Sequence, residues 1–487
     1  MEKYALTVQR IGLIATANLL IAFSGVILLP VLTKTLSITS YGSWALVSTT
    51  IALVPMLTSL GLRGAMIRFL AASKDMRNTQ EVFYSLATVV LAGSLVASAL
   101  FLLFARPIAA TLFNDEITTA LFLPLNIFFA CVNLFIVDFF RAFQQAKKYS
   151  ALTFLQAYVQ VSLVAFFVLL GYGLQGALLG LLLEQLFVFF VTMYLIRVEI
   201  GFAIPRFVRT REHLAFSLPL VPGDMSQWIT NSSDRYLVGI FLGVAAVGYY
   251  SPAYTLGSTI LLISSALTVL LPSVLAKYYD EGNMEDVRTI LKYSLKYYSG
   301  IAIPCAFALS VLSKPLLIIL STPQIAANGF LVTPLVAGGM LPLGAYQLLV
   351  QVVMLKKKTP FIGTVWMAAA ALNFGGNLIL IPRLGLIGAA LTTLLAFALA
   401  FALTTVYSLQ QFRFDVNAGF VLKSVCASFV IAVLLLLWAP SGLISVLLSI
   451  SLAAGIYLGI LVVLKGLTFQ EISFFYNIFK GLVMKSA

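Results

Sequence analysis

Apolar residues run through this chain in blocks of about twenty, and a short polar cluster ends each block. The blocks fall at 11–33, 41–62, 82–105, 117–140, 151–171 and 174–196. They continue at 215–242, 248–275, 291–312, 327–350, 360–381, 385–409, 419–439 and 442–464. About 20 helical residues at ~1.5 Å each cross the ~30 Å hydrocarbon core of a bilayer. A segment surrounded by lipid must satisfy its own backbone polar groups, which a helix does. The pattern predicts an all-α, polytopic membrane protein with 14 transmembrane helices. The fourth block is the weakest, ending in Asp138 and Arg141, and the tenth is interrupted by Pro334, Gly338, Gly339 and Pro342. Two amphipathic stretches lie outside the blocks. Residues 285–298 predict a helix leading into the ninth block. Residues 469–482, with Phe475, Ile478, Phe479 and Leu482 at helical spacing, predict a helix lying in the interface.

The seventh block differs from the others. It carries Asp224, Gln227, Asn231, Asp234 and Arg235, and at ~100° per residue these share an arc of about 100° on a helix. Leu220, Trp228, Leu237 and Ile240 fall at the edges and back of that stripe. A charge at the centre of a membrane helix costs roughly 2.5–3.5 kcal/mol, so the stripe faces protein or water. It is either a helix-packing face on which Asp234 neutralises Arg235 or the lining of a hydrophilic cavity. Glu184, in the sixth block beside Gln185, is the other intramembrane acid, within reach of Gln156 or Gln160, which share a face of the fifth block. Asp138 and Arg141 are spaced for a local ion pair, and Arg63 and Arg68 read as determinants of orientation.

The loop charges test the block count independently. Of the 30 Lys and Arg, 25 fall at the termini or in connections on one side, Lys34, Arg106, Lys314 and Arg383 fall on the other, and Arg235 lies within a helix. The positive-inside rule makes the rich side cytoplasmic and puts both termini there. With 61% hydrophobic and 10% charged residues and a mean hydropathy of +1.04, the chain is far from the ~25% charge of a soluble protein. The net charge of +13 is spent on short loops, which argues against a nucleic-acid partner. Cys131, Cys305 and Cys426 are far apart, and the single histidine, His213, lies in a basic loop, so neither a metal site nor another cofactor is expected. The first block is too long for a cleavable signal and reads as the first membrane helix. No enzyme motif is present, because Gly338-Gly339 lacks the lysine and strand of a phosphate loop, and the outer connections are too short for a catalytic loop.

The chain also repeats itself. Tyr41-Gly42-Ser43-Trp44-Ala45 in the second block is echoed by Tyr249-Tyr250-Ser251-Pro252-Ala253 in the eighth, and Gly173-Leu174-Gln175-Gly176-Ala177-Leu178 by Gly385-Leu386-Ile387-Gly388-Ala389-Ala390. Lys147-Lys148 has its counterpart in Lys356-Lys357-Lys358. Six helices per unit is an even number, so the copies keep one orientation and relate by an axis along the membrane normal. The expected organisation is a bundle at 1–205, a second at 206–412, and two added helices with the interfacial segment at 413–487. The first block has no charges matching Asp224, Asp234 and Arg235, which assigns the charged site to the second bundle.

The fourteen blocks, Tyr41-Gly42 with Ser59-Leu60-Gly61-Leu62 and Arg68, and Asp234-Arg235 before Gly248-Tyr249-Tyr250-Ser251 resemble a known family. It is the polysaccharide-transporter branch of the multidrug/oligosaccharidyl-lipid/polysaccharide exporter superfamily, the O-antigen-type flippases. The resemblance covers the whole chain. It implies two bundles in a V, working by alternating access as a monomer in the cytoplasmic membrane. The cargo would be a polyprenyl-pyrophosphate-linked oligosaccharide, moved from the inner to the outer leaflet at the expense of a proton or sodium gradient. Such a transporter needs a fixed positive charge, and Arg235 meets the requirement, because guanidinium stays protonated and donates two parallel hydrogen bonds to phosphate oxygens. Asp234, Asn231 and Gln227 complete the expected substrate site, and Asp224 and Glu184 are the candidates for ion coupling. A multidrug exporter of the same superfamily is the alternative, against which the last two helices and the uncharged first block count. A lipid II-type flippase is a second alternative, for which arginines are expected in the first helices.

The topology is directly testable. A reporter active only outside the cytoplasm is expected to be silent after Lys148 or Lys358 and active after Val244. Activity in the reverse pattern at Val244 breaks the fourteen-helix assignment.

Overall fold

The computed structural model describes residues 2–71, 75–412, 414–466 and Glu471, without the side chains of residues 2–16, 19, 71 and 270. The interfacial helix expected at 469–482 lies outside the described residues, Glu471 apart. Helices account for almost all of the described chain. They are α1 (Glu2–Thr35), α2 (Ile38–Thr58), α3 (Leu62–Ala71), α4 (Met76–Leu103), α5 (Ala105–Leu112), α6 (Ile117–Ala142), α7 (Ala146–Phe167) and α8 (Gly173–Ile200). The short α9 (Thr210–Ser217) precedes α10 (Val221–Leu242), α11 (Val244–Ser258), α12 (Leu261–Asp280), α13 (Met284–Leu320), α14 (Pro323–Gly329) and α15 (Val332–Leu355). The last four are α16 (Thr359–Leu384), α17 (Leu386–Gln411), α18 (Ala418–Trp438) and α19 (Leu443–Val463).

Among the described residues, ten helices are long and apolar enough to cross a membrane, or eleven if the bent pair α11 and α12 is one broken span. The difference from fourteen has three sources. Only Leu20–Thr35 of α1 is described as apolar helix, and α10 carries too many polar groups. Residues Ala146–Ile200 count as a single 55-residue helix, which at ~1.5 Å per residue is more than twice the thickness of a hydrocarbon core. That segment is a hairpin. A π-turn at Val168–Tyr172 places Gly171 at φ 90° and is followed by Gly173 at φ 57°, and α7 and α8 then pack along each other. A Cβ at Gly180 would stand 2.8 Å from the Val164 nitrogen, so glycine sets that approach.

Two other expectations change. The tenth block breaks not at its prolines and glycines but at Phe330 and Leu331, between α14 and α15; α15 then runs unbroken through Pro342, and Gly339 lets it rest on Leu394 of α17. Pro334 falls in the first turn, where no intrahelical N–H is lost. His213 is not a loop residue but a buried one in α9, its ring 4.5 Å from that of Phe69, and burial holds its imidazole below the ordinary histidine range. The stretch at 285–298 is helical as expected, forming the start of α13 behind an Asn283 cap that accepts from the Asp286 N–H.

The main core joins α1, α2 and α6–α8 to α10–α17. A smaller cluster fills the space among α3, α4, α6 and α8, and a third joins α18 and α19 to α13. The two halves of the chain meet most closely where α2 crosses α11. A Cβ at Gly42 would overlap the Val244 carbonyl oxygen, and one at Gly248 would overlap that of Ile38. Small residues at a crossing allow backbones to touch in a membrane, where van der Waals packing supplies the association.

The crossing makes a prediction. Gly42→Ala forces α2 away from α11 and is expected to destabilise the protein by about 1–3 kcal/mol, the usual cost of overpacking. Gly25→Ala, whose Cβ would meet nothing within 4 Å, is expected to melt at or above the wild-type temperature. Equal melting of the two variants in detergent would refute the close approach.

Candidate functional site

The polar stripe of α10 is graded along its length. Asp224 and Gln227 are exposed, Asn231 and Arg235 are half-buried, and Asp234 is buried. Trp228 and Leu237 are buried, whereas Leu220 and Ile240 face outward. The guanidinium of Arg235 donates from Nη1 to the Asn231 carbonyl oxygen at 3.2 Å and lies 3.4 Å from Asp234 Oδ1. The Arg235 backbone N–H donates to that same oxygen at 2.8 Å. From α11, the Tyr250 hydroxyl donates to Asp234 Oδ2, and the Tyr254 ring lies 4.4 Å beneath the guanidinium carbon. Tyr254 also donates to the Asn231 carbonyl oxygen at 3.3 Å. On the α2 side, the Thr50 and Tyr236 hydroxyls are 2.6 Å apart, and Tyr41 stands near enough to feel the Arg235 charge. A buried ion pair offsets its desolvation only when further hydrogen bonds satisfy both ions, and this one has them. The Asn231 side chain is not among them, since its Nδ2 donates to the Gln227 carbonyl oxygen.

A second polar region occupies the N-terminal half. A cavity of about 420 Å³ is walled by α2, α3, α6, α7 and α8. Glu184 lies in its wall together with Gln156 and Gln160, its two expected partners. Asn133 Nδ2 donates to the Gln185 carbonyl oxygen at 2.8 Å. Asp138 does not pair with Arg141. Its Oδ2 accepts from Arg63 Nε at 2.6 Å, with the carboxylate buried and the guanidinium partly exposed. Arg63 is therefore a wall residue of the cavity and not merely a determinant of orientation. It also stands within electrostatic reach of Asp224 on α10. The chain turns at Leu60 (φ 49°) and Gly61 (φ 71°), and α3 starts in a new direction that carries Arg63 inward. A Cβ at Gly61 would press on the Ser217 carbonyl oxygen, so glycine also permits the approach of the segment leading into α10. The Ser59-Leu60-Gly61-Leu62 motif was the available signal for that break. Arg68 instead lies over the Phe216 ring at 4.6 Å.

The structure thus brings Asn231, Asp234 and Arg235 together, leaves Gln227 and Asp224 exposed on the same helix, and puts Glu184 in the other region. Sequence reasoning missed a third buried cluster. Asn377 Nδ2 donates to Asn373 Oδ1 at 3.1 Å, Asn373 Nδ2 donates to Thr393 Oγ1 at 3.3 Å, and the Thr392 hydroxyl donates to Asn377 Oδ1. This amide and hydroxyl chain ties α16 to α17. Both halves of it sit in blocks whose mean apolarity hides single amides and hydroxyls.

The profile of a family described as "Polysaccharide biosynthesis protein" matches residues 7–277, more than half of the chain. Probable flippase AglR of Haloferax volcanii is 29% identical over 171 residues, 34% of this chain and 35% of that protein. Succinoglycan biosynthesis transport protein ExoT of Rhizobium meliloti is 24% identical over 310 residues, 61% of this chain and 58% of its own length. The chain thus spans about a third of one of these relatives and somewhat over half of the other. Lipid II flippase MurJ, in an inward closed conformation, superposes with a TM-score of 0.74, covering 92% of this chain and 97% of its own at 16% identity. At that identity the likeness is one of fold.

Proposed function

The chain belongs to the polysaccharide biosynthesis protein family, and on that premise we propose that it flips a polyprenyl-pyrophosphate-linked oligosaccharide from the inner to the outer leaflet by alternating access. The observation that carries the reading is a guanidinium held inside a membrane-type helix bundle at the meeting of the two halves of the chain. Arg235 is kept there by Asp234, the Asn231 carbonyl and Tyr254. Holding a charge in so costly a place is economical when an anionic linkage must cross a region that does not solvate it. Gln227 and Asn231 lie along the same stripe and complete the proposed substrate site.

The reading includes fourteen spans, both termini in the cytoplasm, bundles at 1–205 and 206–412, and added helices at 413–487. The packing supports two related bundles. As α4 packs on α6, so α13 packs on α15, and the pairs α7 with α8 and α1 with α7 have counterparts in α16 with α17 and α10 with α16. The crossing of α2 and α11 is reciprocal, since Gly42 meets Val244 while Gly248 meets Ile38, and Gly42 stands as far before Gly248 in the sequence as Ile38 before Val244. Reciprocal contact is what a two-fold axis produces.

Arg235→Lys and Arg235→Ala test the substrate role when membrane abundance and surface glycan are both measured. At normal abundance, Ala is expected to lose about tenfold or more of the glycan, in line with the roughly 1.5–3 kcal/mol of a hydrogen bond to a charged group. Lys is expected to restore part of it. Normal glycan for Ala at normal abundance ends the claim.

Energy input is assigned to Asp224 or Glu184, acids that can alternate between ionised and neutral or cation-bound states. In vesicles with imposed gradients, Asp224→Asn or Glu184→Gln is expected to remove the dependence of transport on proton or sodium gradients. If both variants keep that dependence, coupling lies elsewhere.

A further inference from the structure

We infer that the cavity of the N-terminal half is the subsite for the sugar of the cargo, a neutral, polyhydroxylated group, and not for its diphosphate. The inference rests on the flippase reading and assigns a part of the cargo to a region distinct from the Arg235 stripe. Four observations carry it.

The first is charge. The cavity wall contains Arg63, Asp138 and Glu184, and Arg63 is already engaged by Asp138 at 2.6 Å. No surplus positive charge remains for a phosphate, and Glu184 opposes one whenever it is ionised. A neutral ligand meets no such penalty.

The second is the hydrogen-bonding deficit. Asn133 Oδ1, Glu184 Oε1 and Gln185 Oε1 are buried oxygens that no donor reaches among the described residues. Their residues are only 2%, 1% and 3% exposed, and all three belong to the cavity wall. A buried acceptor left without a donor costs about 1–3 kcal/mol. Phosphate oxygens are acceptors themselves and leave that cost in place. Sugar hydroxyls donate, and all three residues stand in the wall that a sugar would meet.

The third is size and lining. About 420 Å³ is far larger than the ~30 Å³ share of one water, and so far larger than a lone monovalent cation needs. It falls in the ~300–1,000 Å³ range of small-molecule sites. Gln156 and Gln160 add two further amides to the wall, and an amide both donates to and accepts from hydroxyls. The fourth is position. Arg63 stands in the cavity wall, and its neighbours on either side approach the segment entering α10: a Cβ at Gly64 would lie 3.4 Å from Leu220 Cδ1, and Gly61 packs on the Ser217 carbonyl oxygen. The cavity therefore adjoins the exposed end of the stripe, where a linked diphosphate and sugar can occupy neighbouring regions.

The test is photocrosslinking in cells that make the glycan, with the native cargo as probe. p-Benzoylphenylalanine is introduced at Thr153 in the cavity wall, at Gln227 on the stripe, or at Phe190, which is exposed on the outer face of α8. Each adduct is purified and analysed for sugar by mass spectrometry. Sugar at Thr153 but not at Phe190 is expected. Sugar at Gln227 alone overturns the subsite while sparing the flippase reading. Sugar at neither Thr153 nor Gln227 overturns both. In the Thr153 background, the pair Asn133→Leu and Gln185→Leu is expected to lower the sugar adduct about tenfold, a loss of roughly 1.4 kcal/mol. Membrane abundance should stay within about twofold. An unchanged Thr153 adduct overturns the role of those oxygens.

Discussion

A guanidinium inside a helix bundle must be held by groups that replace water, and that requirement organises the middle of this protein. Arg235 has a carboxylate beside it, a carbonyl one turn back and an aromatic face beneath it. Asp234 in turn takes a hydroxyl from Tyr250. Removal of one partner from such a pair leaves an uncompensated charge, at a cost of about 3–5 kcal/mol. The arrangement therefore ties α10 to α11. The contact between Thr50 and Tyr236 ties α10 to α2 as well. The charge and the partners that hold it lie on α10 and α11, and α2 of the other half packs against both helices.

The close crossing of α2 and α11 depends on the same geography. Backbones approach at Gly42 and Gly248 with no side chain between them, which brings Tyr41, Tyr250 and Tyr254 close to Arg235. Elsewhere the halves are separated by polarity. The N-terminal half holds a cavity whose wall includes amides and acids, whereas the C-terminal half holds, between α16 and α17, a hydrogen-bonded chain of Asn373, Asn377, Thr392 and Thr393. The two halves of the chain thus present unlike interiors. The last helices stand apart. α18 and α19 share a small apolar cluster with α13, pinned by the Tyr457 hydroxyl, which donates to the Gly300 carbonyl oxygen at 2.7 Å.

Much of this was legible along the chain, because the bilayer imposes a length and a composition on each crossing segment. The apolar blocks fall on helices, and the stripe of α10 was visible because three charges within a membrane-length helix are rare enough to stand out. That Glu184 shares a polar wall with Gln156 and Gln160 followed from the i, i+4 spacing of two glutamines on α7. Local periodicity is sufficient for such statements, since each concerns one helix or two neighbours in sequence.

The tertiary structure decided what spacing cannot. Asp138 is three residues from Arg141 yet pairs with Arg63, 75 positions away, because the turn at Leu60 and Gly61 sends α3 back across α6. The cavity exists only where five helices diverge, so no single block announces it. The hairpin of α7 and α8 was read as two blocks, and its π-turn depends on glycines at positive φ. A sequence records which groups a helix carries and on which face. Which other helix meets that face is fixed by packing among segments far apart in the chain, and the position of each buried charge follows from that meeting.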